Sequence, residues 1–583
     1  MRKLLLLILI LTSTSAFAQI KINSIRQLTQ TPKLYEKAEF EINITGIFIN
    51  PYDAKEISLD MLMTSPSGRP VSLPCFYISG DSASSNWMAR YAPQETGSYT
   101  YMFRLSKPQE LKVYTNFNDM ARSRGVTVNS ENASFAVANS SKDGFLHKND
   151  YWTFKFDSGK LFRGIGENVG WEARPHENAK WTYEYLLPSL SKNGANFFRT
   201  WMCPWNLPLE CKKVYTSRYK NNDGYYNQSG IKRMDEFVDL CDSLGLYVML
   251  AMDSHNVFLG GWKDNDYNVI NGGPCKTPTD FFTMETAQSR YKNRLRYLIA
   301  RWGYSTSIAA WEFFNEIDNS AFTPHDSIII PHEAITQWHD EMSRYIKDND
   351  PYDHIVTTSI SHRDIIGMNS LPHIDLNQKH IYKRTEKIPG IIKMYAPLYN
   401  KPYSIGEFGF RWEDDDPKYG DGFDYDYKRG LWYGIFNPTP ILPMTWWWEL
   451  FDTRNMTPYF KGVREISDQM LEAGNGSFEP LEIKTNILES YAVKCGDKIF
   501  VYLLNNSGAV VTSDVRLDYS SPSQMSVQGF VPAERIYKNI AKAVSANNGK
   551  LTMPSVSVDA RKELVLILSP KNSISKSRKG REL

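Results

Sequence analysis

The chain has 583 residues, of which 42% are hydrophobic and 13% aromatic, and its formal net charge is +2. A chain of this length usually divides among two or more hydrophobic cores, so several domains are expected. Basic and acidic residues are scattered and nearly balanced, which argues against a nucleic-acid surface. The six cysteines include no Cys-x-x-Cys pair, so neither a disulfide framework nor a structural zinc site is supported, and no metal is expected.

The first residues have the pattern of an export signal. Arg2 and Lys3 precede an apolar run at residues 4–11, and small residues follow at Ala16 and Ala18. The apolar run is too short to cross a bilayer, and no other stretch approaches a membrane span. We therefore expect residues 1–18 to be a signal peptide cleaved near Ala18, and the mature protein to be periplasmic or secreted.

Residues 19–140 consist of short segments in which apolar and polar residues alternate, as at Phe40, Ile42 and Ile44. Turn residues such as Gly97 separate these segments. Alternation with a period of two is typical of half-buried strands, so this region is predicted to be an antiparallel β-sandwich. The polar stretch at residues 139–144 is a plausible linker into the next domain.

Residues 141–472 alternate apolar strand candidates with helical patterns such as residues 231–244 and 289–302. This alternation predicts a parallel sheet, and eight such units fit a closed (β/α)8 TIM barrel. The eight strand candidates are residues 161–165, 196–200, 247–252, 309–314, 355–359, 375–381, 402–406 and 441–446.

Strand patterns return in residues 473–570, which predict a second β-sandwich, and residues 571–583 are expected to form a flexible tail. The predicted fold class is therefore multidomain, with a central α/β barrel flanked by two all-β sandwich domains. Either sandwich could bind glycan, although bracing the barrel is the simpler role for both.

Two acids stand where barrel enzymes keep their chemistry. Glu316 follows the fourth strand candidate and Glu407 follows the seventh. The carboxyl ends of parallel strands meet at one face of a barrel, so two acids three strands apart can face each other across its mouth. Glycoside hydrolysis requires such a pair, one to protonate the leaving oxygen and one to attack or stabilise the anomeric carbon.

The other strand ends carry polar and aromatic residues. Sugars require this mixture, because a pyranose ring has an apolar face that stacks on indole and hydroxyls that need fixed donors and acceptors. These strand-end candidates are Glu167, Trp171, Arg199, Trp201, His255, Asn315, His380, Tyr382, Trp446 and Trp448.

With these residues, the middle domain resembles the cellulase-like glycoside hydrolases of clan A. That clan has an Asn-Glu pair at the end of strand four and a Glu at the end of strand seven, which match Asn315, Glu316 and Glu407. The flanking regions resemble a bacterial arrangement in which an immunoglobulin-like domain of unassigned function precedes such a barrel.

The resemblance implies a role for each matched residue. Glu316 would be the general acid/base, Glu407 the nucleophile, and Asn315 the group that holds the sugar's 2-hydroxyl. Arg199 would lie beneath the nucleophile and keep it ionised, and Tyr382 would hydrogen-bond Glu407. His380 matches a His-x-Tyr of strand six, Trp446 matches a sugar platform, and His255 fits the clan's substrate-binding histidine loosely.

Two further expectations concern charge. Arg199 should lower the pKa of Glu407, whereas the charge on Glu407 should keep Glu316 protonated to higher pH. Glu312, which lies inside its strand, is expected to point into the barrel and pair with a basic group.

Together these features predict a retaining β-glycosidase that acts on a polysaccharide or oligosaccharide and needs no cofactor. Two alternatives remain open, a glycan-binding protein whose barrel has lost turnover and a transglycosylase that uses the same residues. The sequence indicates no protein partner, and it does not identify the sugar, the linkage or the mode of attack.

Overall fold

The structure is a computed structural model that describes residues 20–81, 83–108, 125–222, 224–323, 329–520 and 524–571. The expected signal peptide and all of the expected tail beyond Lys571 lie outside these ranges. The chain forms two compact units, one of Met1–Ser140 with Arg290–Tyr304 and one of Ser141–Ser289 with Ser305–Leu583. None of the helices in the described ranges has the length and apolar character needed to cross a membrane.

The first unit contains the predicted antiparallel sheets. Strand Ala38–Thr45 alternates buried and half-buried residues along its whole length, as the sequence pattern predicted. Its inward side chains meet an aromatic core in which Tyr99 stacks on Phe135 with ring centroids 5.1 Å apart. One sheet contains Lys21–Gln27, Ala38–Thr45, Ser85–Tyr91 and Phe76–Gly80, and the other contains Pro70–Pro74, Ser58–Thr64, Gly97–Lys107, Val126–Asn129 and Ala133–Val137.

The second unit contains the barrel. Seven parallel strands pair in chain order: Gly166–Asn168, Phe197–Trp201, Tyr247–Ser254, Ile308–Asn315, Ile355–Ile360, Leu376–Tyr382 and Tyr403–Gly409. The eighth predicted strand forms isolated parallel bridges instead, one from Ile441 to Gly164 and one from Thr445 to Phe408. These bridges connect the segment to both ends of the seven-stranded sheet, so the predicted (β/α)8 architecture is confirmed.

Helices cover the barrel strands and connect them. The α-helices from residue 183 onward are Tyr183–Lys192, Gln228–Leu244, Pro278–Thr283, Glu285–Trp302, Asp318–Phe322, His332–Asn349, Ile388–Tyr399, Gly420–Ile435, Trp448–Thr453 and Phe460–Gly474. Of these, Glu285–Trp302 belongs to the first unit from Arg290 onward. Short 3-10 helices lie at His255–Phe258, Trp262–Asp264, Val269–Asn271, Met368–Ser370, Thr385–Lys387, Pro417–Tyr419 and Thr457–Tyr459.

The prediction for the first barrel strand was wrong in its position. Leu161–Phe162 belongs to a small antiparallel sheet with Leu146–Lys148 and Phe154–Phe156, and the first parallel strand is Gly166–Asn168. Aromatic side chains of the small sheet pack with inward residues of the barrel, including Phe197. The sheet therefore packs onto the barrel interior, and the predicted strand at residues 161–165 ends one residue before the first parallel strand begins.

The C-terminal sandwich has two antiparallel sheets. One contains Glu479–Leu481, Glu489–Cys495, Lys498–Leu504, Glu563–Pro570, Met525–Val531 and Ile536–Val544, and the other contains Ile483–Lys484, Val511–Asp518, Lys550–Val558 and Ala546–Asn547. The sandwich packs against barrel helices, because Tyr502 stacks on both Trp432 and Phe436 with centroids 5.7 Å apart. Beside them the Tyr459 hydroxyl accepts from Trp432 Nε1 at 2.7 Å and donates to the buried Glu563 carboxylate.

Tyr459→Phe should weaken this packing. The substitution leaves Trp432 Nε1 and the Glu563 carboxylate without their shared partner, at a cost of about 1–3 kcal/mol in the free energy of unfolding. Urea denaturation of the purified variant measures this. Tyr537→Phe is the matched control, because Tyr537 donates to Glu465 at an exposed position and its loss should cost no more than about 0.5 kcal/mol. Equal stabilities for the two variants would contradict the prediction.

Candidate active site

Arg199, at the second strand, is the centre of the polar network inside the barrel mouth. Its guanidinium is fully buried and forms a bidentate pair with Glu312 at 2.6 and 2.8 Å. It also donates to Glu407 Oε1 at 2.8 Å, to Asn315 Oδ1 at 2.8 Å and to Asn168 Oδ1 at 3.1 Å. The expectation that Glu312 points inward onto a basic group is confirmed, and one cation connects strands one, two, four and seven.

The acidic partners of Arg199 keep its guanidinium protonated. Burial by itself would lower the pKa of this guanidinium, but Glu312 and Glu407 raise it above its ordinary value. Arg199 therefore carries a permanent positive charge directly beneath Glu407.

Glu407 is almost fully buried, and both of its oxygens have partners. Arg199 holds Oε1, and the Tyr382 hydroxyl donates to Oε2 at 2.7 Å, the contact expected from the sequence. A register shift between strands six and seven sets this position, because Lys379 pairs with Ile405 whereas His380 pairs with Glu407. Such bulges often re-aim a side chain at an active site.

The extra residue in the bulge is Gly406, and no larger residue would fit there. A Cβ atom on Gly406 would lie 2.2 Å from Gln378 Oε1 and 2.9 Å from His380 Nε2. The glycine next to Glu407 thus allows the His380 ring to approach the strand closely.

Glu316 lies just beyond the fourth strand with a left-handed backbone, at φ 52°. Its N–H donates to Ser359 Oγ at 3.0 Å, and its carboxylate is 2.9 Å from His380 Nδ1 at Oε1. Asn319 Nδ2 donates to Oε2 at 3.1 Å, and His255 Nδ1 lies 3.8 Å from the same oxygen. A positive φ at a non-glycine residue costs about 1–3 kcal/mol and is found preferentially at functional sites.

The two carboxylates face each other across a short gap. One oxygen of Glu316, one of Glu407 and a ring nitrogen of His380 all lie within 4.8 Å of one another. Retaining glycosidases have carboxyl groups about 5–5.5 Å apart, whereas inverting enzymes need about 6.5–9.5 Å to admit a water. The arrangement is therefore suited to direct attack by one carboxylate on a bound sugar.

Burial raises the pKa of both acids. For Glu316 the nearby Asp318 adds to this rise, as the expected acid role requires. At Glu407, Arg199 and the Tyr382 hydrogen bond lower the pKa but do not offset burial, so its pKa also lies above the ordinary glutamate value. Arg199 does lower the pKa of Glu407, as expected. The net pKa is nevertheless raised, so the expected depression was wrong. Burial also lowers the pKa of His380 to about 4, so its ring is neutral at pH 7.

Glu316, His380 and Glu407 could by their spacing also hold a metal ion, although the sequence predicted no metal. The hydrogen bonds that the two glutamates already make favour a role other than metal binding. Arg199 and Tyr382 occupy the two oxygens of Glu407, and His380 and Asn319 occupy those of Glu316. Fixed donors on both carboxylates are what orients a nucleophile and a proton donor.

Tryptophans from strands one, two and eight form a cluster at the same mouth. Trp446 lies 5.6 Å from Trp171, 5.3 Å from Trp201 and 5.1 Å from Trp448, measured between ring centroids. Trp205 joins the cluster 5.6 Å from Trp171. Trp446 is half-buried and Trp448 fully buried, so the eighth strand offers one accessible platform and one packing ring.

Several indoles of the cluster keep an unused donor. The buried Nε1 atoms of Trp171, Trp201, Trp205 and Trp448 have no hydrogen-bond partner among the described residues. Buried donors usually find acceptors, so these four indole nitrogens are exceptions to the general rule.

Glu167 is the one candidate that does not join the others. It is buried at strand one, and its neighbour Asn168 points into the barrel to donate to the carbonyls of Gly406 and Thr445 at 3.0 Å. Alternation along the strand turns Glu167 the other way. Burial raises its pKa well above the ordinary value, with Asp452 and Glu449 of an outer helix as the next causes.

Strand ends did not indicate Asn319 or Ser359, both of which contact Glu316. Asn168 directly follows Glu167, which was predicted as a site residue. The prediction therefore named the correct strand, but a side chain on the wrong face of that strand. Asn319 lies one helical turn after Glu316, a spacing that could have indicated it. Ser359 comes from strand five, which offered no acid or aromatic signal at its end.

With this geometry described, comparison with known proteins agrees with the resemblance. Residues 162–387 match the family described as cellulase (glycosyl hydrolase family 5), and residues 31–106 match a domain of unknown function, DUF5060. Part of the barrel region is therefore similar to the cellulase family, and it follows a region similar to a domain whose function is unassigned.

The curated relatives cover part of the chain. A probable mannan endo-1,4-beta-mannosidase C of Aspergillus terreus is 29% identical over 222 residues, which span 35% of this chain and 52% of the relative. A mannan endo-1,4-beta-mannosidase F of Aspergillus clavatus is 26% identical over 224 residues, spanning 37% and 47%. The chain thus spans about half the length of these relatives.

A solved structure shares the fold over a greater length. A Bacteroides vulgatus protein assigned provisionally as a glycoside hydrolase has a TM-score of 0.63 at 14% identity, covering 93% of this chain and all of the other. At this identity the likeness concerns the fold.

Arg199→Met should destabilise the protein strongly. Removal of the cation leaves Glu312 and Glu407 buried together without a counter-charge, and breaking a buried pair in this way costs about 3–5 kcal/mol. Chemical denaturation measures the loss. Arg464→Met is the control, because Arg464 pairs with Asp468 on a helix surface, where the cost stays below about 1 kcal/mol. A loss at Arg199 no greater than that at Arg464 would refute the structural role of the cation.

Proposed function

We propose that this protein is a retaining β-glycoside hydrolase, with Glu407 as nucleophile and Glu316 as general acid/base. The observation that carries the proposal is the pair of facing carboxylates, whose oxygens lie within 4.8 Å and whose partners differ. Glu407 is held by a permanent cation and a phenol, whereas Glu316 is held by a neutral imidazole and an amide.

In the first step, the Glu407 carboxylate attacks the anomeric carbon and the bond from that carbon to the leaving oxygen breaks. Glu316 gives its proton to that oxygen, so the leaving sugar departs as a neutral alcohol. The enzyme then holds a glycosyl ester on Glu407 and an ionised Glu316.

In the second step, a water molecule loses a proton to Glu316 while its oxygen attacks the anomeric carbon. The ester bond to Glu407 breaks, and both acids return to their starting state. Two displacements at one carbon retain its configuration. Arg199 and Tyr382 stabilise Glu407 each time it carries charge, and the family resemblance assigns to Asn315 the 2-hydroxyl of the reacting sugar.

The accessible face of Trp446 is suited to stack against the reacting sugar. The two named relatives act on mannan as endo-1,4-β-mannosidases, so a β-1,4-linked mannan is the first substrate to test. Export to the periplasm or beyond belongs to the same proposal, because a polysaccharide substrate lies outside the cell membrane.

The direct test measures reducing-sugar release from a panel of soluble β-glycans that includes β-1,4-mannan. Glu407→Gln and Glu316→Gln should each lower kcat by about a thousandfold or more while the fold persists, because each removes one half of the proton-transfer and attack chemistry.

Glu333→Gln, an exposed acid in the first turn of helix His332–Asn349, is the matched control and should keep wild-type turnover. Near-wild-type rates in either active-site variant would remove that residue from the mechanism. Glycan binding by a wild type without turnover would instead favour the glycan-binding alternative.

Tyr382→Phe should shift the acidic limb of the pH profile. The Tyr382 hydrogen bond lowers the pKa of Glu407, so its loss raises that pKa and a higher pH is needed to ionise the nucleophile. A hydrogen bond to a charged group is worth about 1.5–3 kcal/mol, which corresponds to a shift of about one pH unit or more.

The profile of kcat/KM against pH reports this, because it reflects the free enzyme. Tyr491→Phe is the matched control. It removes a hydroxyl that donates to Glu489 in the C-terminal sandwich, so it should leave the pH profile unchanged. An acidic limb that stays in place, or moves to lower pH, would contradict the assignment of Glu407.

A further inference from the structure

Trp412 is exceptional among the fifteen tryptophans of the chain, all of which lie in the described ranges. It is the one that the structure leaves exposed, with 62% of its surface accessible. Exposure of so large an apolar side chain forgoes the burial that stabilises the other tryptophans.

Trp412 lies on the loop that follows the seventh barrel strand, five residues beyond Glu407. Five residues of extended chain span at most about 18 Å, so the Cα atoms of Glu407 and Trp412 lie within that distance of each other. The loop begins at the carboxyl end of the strand, where barrels bind their substrates.

The residues on either side of Trp412 are held by a hydrogen bond, a ring contact and an ion pair. Trp447 Nε1 donates to the Arg411 carbonyl at 2.8 Å, and the Arg411 guanidinium stacks on the Tyr419 ring at 4.4 Å. Lys383, just after strand six, pairs with Glu413. The ring is thus held in place by its neighbours and is presented to solvent rather than folded back.

The surroundings of the ring are polar. Lys383 Nζ lies 5.7 Å from the centroid of Trp412, and Glu413 and Asp414 are exposed beside it. The neighbouring Phe410 packs back onto Phe423 at 5.5 Å. A protein-binding surface needs a contiguous apolar patch, whereas one flat ring bordered by charged donors and acceptors matches the apolar face and hydroxyl rim of a pyranose.

We propose that Trp412 is an outlying sugar-binding platform, on which a pyranose unit of the glycan stacks away from the reacting sugar on Trp446. This inference rests on the proposed function and adds a second sugar-binding position outside the reacting site. A pre-positioned aromatic ring loses little conformational entropy when the sugar binds.

Binding can be measured without turnover in the Glu407→Gln background, by affinity electrophoresis in gels containing soluble β-1,4-mannan or the other glycans of the substrate panel. Adding Trp412→Ala should weaken retention about tenfold, and adding Trp412→Phe should weaken it less, because a smaller ring remains. Leu398→Ala is the matched control, since Leu398 is 63% exposed on the outer helix Ile388–Tyr399 and should not affect retention.

The active enzyme provides a second readout. Trp412→Ala should raise KM for the polymer about tenfold, with little change in kcat. Hydrolysis of an aryl β-glycoside with a single sugar should remain as in the wild type, because that substrate does not extend to Trp412. Loss of both activities together would indicate damage to the site and overturn the platform.

The two proposals fail in different ways. If Trp412→Ala binds every polymer as tightly as Leu398→Ala, or if no glycan of the panel is retained, the platform is wrong while hydrolysis of the aryl glycoside still supports the proposed function. If Glu407→Gln turns over normally, the proposed function is wrong, and the retention comparison still decides whether Trp412 binds sugar.

Discussion

A single buried cation, Arg199, is the constraint on which the barrel mouth depends. Two carboxylates and two amides from strands one, four and seven converge on its guanidinium within 3.1 Å. A buried guanidinium is tolerated only when its donors are matched, so these strands must keep their relative register for the charge to remain neutralised. The same constraint positions Glu407 and Asn315, which means that stability and the candidate chemistry share one network.

The two ends of the barrel have different uses. Aromatic residues of a small antiparallel sheet pack with inward side chains such as Phe197 and Ile441 in an apolar core. At the mouth the inward residues are polar, and the indole cluster of Trp171, Trp201 and Trp446 lies beside them. The apolar core at one end stabilises the strands. The barrel can therefore tolerate, at the mouth, the loss of stability that buried charges and unpaired donors cause.

Much of this site could be predicted because strand ends are visible in a sequence. Apolar runs that end at a charged or aromatic residue indicated Arg199, Glu316, Glu407 and Trp446, and the structure brings these residues to one end of the barrel. Glu167 was placed on the wrong face, because a strand of three residues leaves alternation no room to establish its phase. Asn319 was missed because it comes from the helix after strand four rather than from a strand end.

The sequence by itself determined the barrel, its flanking strand-rich domains and the identity of the facing acids, since these follow from hydrophobic periodicity and from which residue ends each strand. Only the tertiary structure decided how the acids are held. The bulge at Gly406 places Glu407 opposite His380, and burial raises the pKa of Glu407 despite Arg199. Register shifts and desolvation depend on which strands pair and how much water they exclude, and neither quantity is encoded at any single position in the chain.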